Sequence, residues 1–226
     1  MPGTYFVDEV DGTPTPRIFF TIGAGWQPPN YMPSSNPEIY KAAEIYKAGV
    51  GVRDGGGGFI AFSRPARRHE RRDPIPGDRV FSDACHWSDG YHPGPVDTVD
   101  GFVAALSEQR GWADVTGPSD ISIDGYVGKA FQRTAPADVS DCDIVADFTG
   151  RLAKPGGTTT PAFHEGAYEP GSIETVWVLD IDGTVVVINT VLEPLLSTLT
   201  VAIEGPPAGI RAEVAAVLDS IRIDRG

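Results

Sequence analysis

The clearest pattern of apolar and polar positions runs from Ile173 to Thr190, where two apolar stretches are joined by Asp182-Gly183. A two-residue Asp-Gly link between such stretches is the strongest short-range hairpin signal. The turn opposes Ile181 to Thr184, Leu179 to Val186 and Trp177 to Ile188 on one face. The other face pairs Asp180 with Val185, Val178 with Val187 and Val176 with Asn189. Both faces are mostly apolar, which predicts a central strand pair covered on both sides.

Two helices fit as covers. Val99, Phe102, Val103 and Leu106 form one stripe in a helix predicted from about Val96 to Gln109, with Gly111 as its stop. Ile210, Val214, Val217, Leu218 and Ile221 recur at helical spacing between about Ala208 and Ile221. A third helix is predicted from Asn36 to about Lys47. Asn36 would cap it, Pro37 would stand at its first position, and Ile39, Ala42, Ala43 and Tyr46 would share a face. Short strands are expected at Thr4–Val7, Arg17–Ile22, Phe59–Phe62, Val80–Ala84, Trp112–Thr116, Ile121–Ile123 and Tyr126–Arg133. Asp124-Gly125 offers a second hairpin dipeptide. The fold class that follows is α+β: one domain over residues 1–226, a helix–sheet–helix (α/β/α) sandwich with a largely antiparallel sheet. A loop-rich insertion is expected around 27–58.

Composition narrows the partners. The chain has 226 residues, enough for a substantial core, and 31 acidic against 18 basic residues give a net charge of −13. Nucleic acid is excluded as a partner on this balance, because binding it needs dense phosphate neutralisation by Lys and Arg. No run approaches the roughly 20 apolar residues that cross a bilayer. Met1-Pro-Gly-Thr-Tyr lacks the basic start and apolar centre of a signal peptide. The expectation is therefore a cytoplasmic protein, or an extracytoplasmic domain separated from its leader or anchor.

Candidate chemistry is sparse. Leu179-Asp-Ile-Asp-Gly-Thr184 matches the Asp-x-Asp-Gly-Thr loop of haloacid-dehalogenase-type phosphohydrolases, in which Asp180 would be the nucleophile and Asp182 a general acid. That chemistry needs parallel strands and a later lysine. Only 42 residues follow Thr184 and none is lysine, so the hairpin reading is preferred and the metal-dependent enzyme is kept as the alternative. Asp54-Gly-Gly-Gly-Gly58 lacks the Lys-Ser/Thr of a phosphate loop. Between Arg64 and Arg79 lie six arginines; Arg67, Arg68, Arg71 and Arg72 are candidate binding residues against the simpler reading of a solvated charge run. His86 and Trp87 are further binding candidates. His86, His92 and His164 with Asp83 or Asp89 supply no convergent metal geometry by spacing, and no cofactor is expected. Cys85 and Cys142 read equally as two buried thiols or as one disulfide.

Several motifs in order carry a resemblance. They are Asp83-Ala-Cys-His-Trp87, Pro93 to Asp100 leading a helix, Ile123-Asp-Gly-Tyr-Val-Gly-Lys129, Ser140-Asp-Cys-Asp143, Val176 to Gly183, and the closing Leu218-Asp-Ser-Ile221. Together, over about residues 80–223, they resemble an uncharacterised actinobacterial cell-envelope domain that is similar to the PsbP-like α/β/α sandwich. The segment from Gln27 to Gly58 and the apolar run Leu192–Glu204 depart from that pattern. The resemblance implies a Cys85–Cys142 disulfide and an extracytoplasmic address, and it implies no catalytic residues. The buried hairpin, the paired cysteines and the lack of a complete catalytic set lead to the expectation of a non-enzymatic binding, sensor or accessory module for a protein, an envelope component or a small ligand. The negative charge adds the expectation of a basic partner.

Overall fold

The computed structural model describes residues 2–10, 13–26, 40–41, 44–47, 58–63, 80–86, 89–94, 96–138, 140–142, 170–196, 203–204 and 208–224. At its centre are β8 (Ile173–Ile181) and β9 (Thr184–Leu192), paired antiparallel in the register that the Asp182-Gly183 turn dictates. They are the middle strands of a six-stranded sheet. Its order is β4 (Glu44–Lys47), β5 (Gly58–Ser63), β9, β8, β7 (Tyr126–Thr134), β6 (Val115–Ile123), and every neighbouring pair is antiparallel.

Both faces of the hairpin are buried, each by a different layer. On one face Val176, Val178, Val185 and Val187 pack with Phe131 and with Phe102, Val103 and Leu106 of helix α1 (Val99–Ser107). Burying each such side chain contributes roughly 1.5–3 kcal/mol. Thr98 caps α1, its hydroxyl accepting the Gly101 N–H at 3.1 Å, which sets the helix start at Val99 rather than near Val96.

The opposite face carries the expected helix and a second sheet beside it. Leu179, Ile181, Val186 and Ile188 meet Ile210, Val214 and Val217 of helix α2 (Ala208–Asp219), and Ile221 just beyond its end. They also meet Tyr5, Val7, Ile18, Phe20 and Ile22. These belong to β1 (Gly3–Val10) and β2 (Thr13–Ile22), the inner pair of a second sheet ordered β12 (Arg222–Ile223), β2, β1, β3 (Tyr40–Lys41). A two-stranded pair, β10 (Leu195–Leu196) with β11 (Ile203–Glu204), completes the described elements. The class is α+β, mostly antiparallel sheet with two short helices.

Three local expectations are corrected. The helix predicted over Asn36–Lys47 is absent from its described part: Tyr40–Lys41 pairs parallel with β1, and Glu44–Lys47 pairs antiparallel with β5. Edge positions on two sheets satisfy this backbone through pairing with distant strands, which overrides local helix signals. Val80–Ala84 is not a continuous strand; it forms isolated bridges, Phe81 with Tyr91 and Asp83 with Arg110. The segments predicted as separate strands near Thr116 and Ile121 are one edge strand, β6, with its register broken at Gly117-Pro118. An edge is where proline is tolerated, since it has no N–H to donate.

Candidate functional site

The Asp-x-Asp-Gly-Thr loop is a hairpin turn. Asp182 and Gly183 have φ of 52° and 82°, so both central residues are left-handed, as the hairpin's two-residue turn demands. Asp180 accepts the Gly183 N–H at 2.7 Å, and Asp182 lies 3.3 Å from the Tyr126 hydroxyl. Both carboxylates are exposed, at the tip of two antiparallel strands. Their geometry is that of a turn held by its own side chains.

Asp124-Gly125 repeats the arrangement between β6 and β7, with φ of 49° and 85°. Here the carboxylate reaches further, accepting the Ile223 N–H of β12 at 2.7 Å.

The arginines Arg67, Arg68, Arg71 and Arg72 lie outside the described residues, as do Trp87 and His164. His86 is exposed, and its backbone N–H donates to Asp83. His92 closes a local turn, its Nδ1 accepting the Gly94 N–H at 3.1 Å. Among the described residues no three His, Cys, Asp or Glu side chains converge as metal ligands. Trp26 is core, with its indole N–H donated to Glu213 at 2.9 Å.

Cys85 and Cys142 are joined in a disulfide with Cα atoms 4.4 Å apart. Cys142 is buried against Ala84 and Ala135, with Trp112 and Val191 packed around them. The Cys85 side is held by Asp83, whose carboxylate is buried and accepts the N–H groups of Cys85 and His86, each at 2.8 Å. Gly111, at φ 89°, allows the close approach: a Cβ there would stand 2.9 Å from the Asp83 carboxylate and from the Cys85 nitrogen.

Beside this corner lies a buried polar cluster that composition and motifs did not reveal. Arg133 on β7 is 1% exposed and Glu174 on β8 is 3% exposed, and they form an ion pair through Arg133 Nε and Glu174 Oε2. Arg133 Nη1 donates to Gln109 Oε1 at 2.7 Å and to the Leu106 carbonyl at 3.2 Å, at the end of α1 where carbonyls lack helical partners. Asn189 donates to Glu174 at 3.1 Å from β9. The Trp112 ring covers the guanidinium, 3.9 Å from its centroid, and its indole N–H donates to Gln109 at 2.8 Å. Four elements are thereby keyed together. One signal was readable. Arg133 and Glu174 fall in the inward-facing register with Phe131 and Val176, where a charge demands a partner.

At the surface, Lys129 donates to Asp120 at 2.8 Å. That hydrogen bond, followed by the attraction of the lysine charge, holds the Asp120 carboxyl below its usual range. The same hydrogen bond, followed by the Asp120 charge, raises Lys129, with Asp100 adding to them. The Ser140 N–H bond likewise lowers Asp138.

No protein-family model matches this chain, and no curated protein matches it.

Proposed function

We propose that this chain is a non-enzymatic binding, sensor or accessory module of the cell envelope or the secreted space, built as a PsbP-like α/β/α sandwich. Its partner is a protein, an envelope component or a small ligand. The observation that carries the reading is the Cys85–Cys142 disulfide. Disulfides persist in oxidising compartments and are reduced in most cytosols. The order of motifs from Asp83 to Ile221 supports the same address. The turn geometry of Asp180 and Asp182 supports the non-enzymatic part, because Asp180 is engaged by the Gly183 N–H within a hairpin.

Thiol titration tests the address. Protein isolated without reductant and unfolded in denaturant should show no free thiol, and two after reduction. Two free thiols before reduction would remove the compartment from the reading. The phosphohydrolase alternative is tested separately with magnesium and a generic phosphomonoester. Turnover that disappears in a folded Asp180→Asn variant would replace the binding module with an enzyme.

A further inference from the structure

The disulfide lies outside both large apolar clusters. Neither cysteine belongs to the core between the two sheets or to the core beneath α1. Its two ends are anchored unequally. Cys85 sits in a backbone framework that needs no sulfur: Asp83 binds two of its N–H groups, the Ala84 N–H donates to the Arg110 carbonyl at 2.9 Å, and the Arg110 N–H donates to the Ser82 carbonyl at 3.1 Å. On the other side, the last firm tie is at Ala135, which exchanges hydrogen bonds of 2.8 and 3.1 Å with Ser172 and Gly171. Beyond it, among the described residues, the stretch to Cys142 is held by the local Ser140–Asp138 bond and by the buried sulfur. Trp112 touches this corner on one side and the Arg133 guanidinium on the other.

We propose that Cys85–Cys142 is a redox-operated latch: its reduction frees the chain leading to Cys142 and uncovers Trp112 and the Arg133–Glu174 pair, while the two main cores stay folded. The proposal concerns regulation and holds whichever compartment the protein occupies. Cys85 is the half-buried partner and the point of entry. A thiolate of a dithiol reductant attacks the Cys85 sulfur, and the Cys142 sulfur leaves and takes a proton. The second thiol of the reductant then displaces Cys85 from the mixed disulfide. Two electrons pass to the protein, which gains two thiols, and the reductant ends as a disulfide. Among the described residues, what then opposes departure of the segment is its packing against Ala84 and Ala135, with Trp112 and Val191 around them.

Nuclear magnetic resonance of the oxidised protein, the dithiothreitol-reduced protein and the Cys85→Ser/Cys142→Ser variant tests this. Amide signals of residues 83–86, 110–113 and 135–142 should move or broaden on reduction, while those of β1, β2 and α2 stay. The Trp112 indole N–H, now bonded to Gln109, should exchange with solvent at least about tenfold faster, and reoxidation should restore it. The double variant should match the reduced protein. Shifts confined to Cys85 and Cys142 would overturn the latch by showing that nothing follows the sulfur. Collapse of signal dispersion throughout the chain would overturn it in the other direction, making the bond a staple of the whole fold. Free thiols in protein as isolated would touch only the proposed address, since the latch is read between prepared oxidised and reduced states.

Discussion

Arg133 and Glu174 stand directly opposite each other on β7 and β8, and their side chains form an ion pair that is almost removed from water. Such a pair stabilises little relative to apolar residues, because desolvation of two charges offsets their attraction. Breaking it is another matter. Glu174→Ala leaves a buried guanidinium with Gln109 and a carbonyl but no counter-charge, and should cost about 3–5 kcal/mol in urea unfolding. The Arg133→Met/Glu174→Leu double variant should recover most of that loss. Additive losses in the double variant would mean that the two groups are not coupled.

Removal of the disulfide has a separate cost, carried mainly by the unfolded state. The bond closes a loop of 57 residues, for which chain entropy predicts about 4 kcal/mol. The Cys85→Ser/Cys142→Ser variant should lose an amount of that order in urea, with a cooperative transition retained. A loss below about 1 kcal/mol would show that the unfolded chain is already compact around these positions.

The two Asp-Gly turns differ in reach, and their alanine variants should differ accordingly. At φ 49° and 52°, Asp124→Ala and Asp182→Ala each place an ordinary side chain in left-handed backbone, costing about 1 kcal/mol. Asp124→Ala also strips the Ile223 N–H of its carboxylate acceptor, adding about 1.5–3 kcal/mol. Asp124→Asn keeps an acceptor and tolerates the turn, so it should fall between wild type and alanine. Equal urea midpoints for the two alanine variants would show that tying β12 to the hairpin contributes nothing.

Gly128 of β7 lies against Val178 and Leu179 of β8 with no room for a side chain. A Cβ at that position would collide with the Val178 carbonyl and stand 2.9 Å from the Leu179 side chain. Gly128→Ala should therefore push the central strands apart at a cost of about 1–3 kcal/mol. Exchange of the β7–β8 amides should rise more than that of the β8–β9 amides. Unchanged stability would mean that the sheet relaxes freely at this point.

The surface pair Asp120–Lys129 should make a small, salt-sensitive, pH-dependent contribution. The folded-state Asp120 carboxyl titrates below its usual range, so its contribution is present above that range and is lost as pH falls through the depressed value. Lys129 titrates above its usual range, so its contribution is present below that range and is lost as pH rises through the elevated value. Between these limits both charges stand. Lys129→Met should raise the Asp120 midpoint in a carboxyl-carbon titration, and high salt should shrink the difference. An Asp120 midpoint indifferent to Lys129→Met would remove the pair from the account.

What could be read along the chain was what depends on neighbours in sequence. The alternation around Asp182-Gly183 determined the register from Ile181–Thr184 to Val176–Asn189 and the burial of both faces. The stripes at Val99–Leu106 and Ile210–Ile221 determined the two helices, since helix and hairpin bonds close over a few residues. Contacts between distant segments were decided by the tertiary structure. It turned Glu44–Lys47 into an edge strand because β5 offered unpaired backbone. It covered the second face of the hairpin with β1 and β2 beside α2. It also chose between two thiols and a disulfide for Cys85 and Cys142, and it brought Arg133, Glu174, Asn189 and Gln109 together from four elements. Burial and pairing across such separations depend on which surfaces meet, and no local periodicity encodes that.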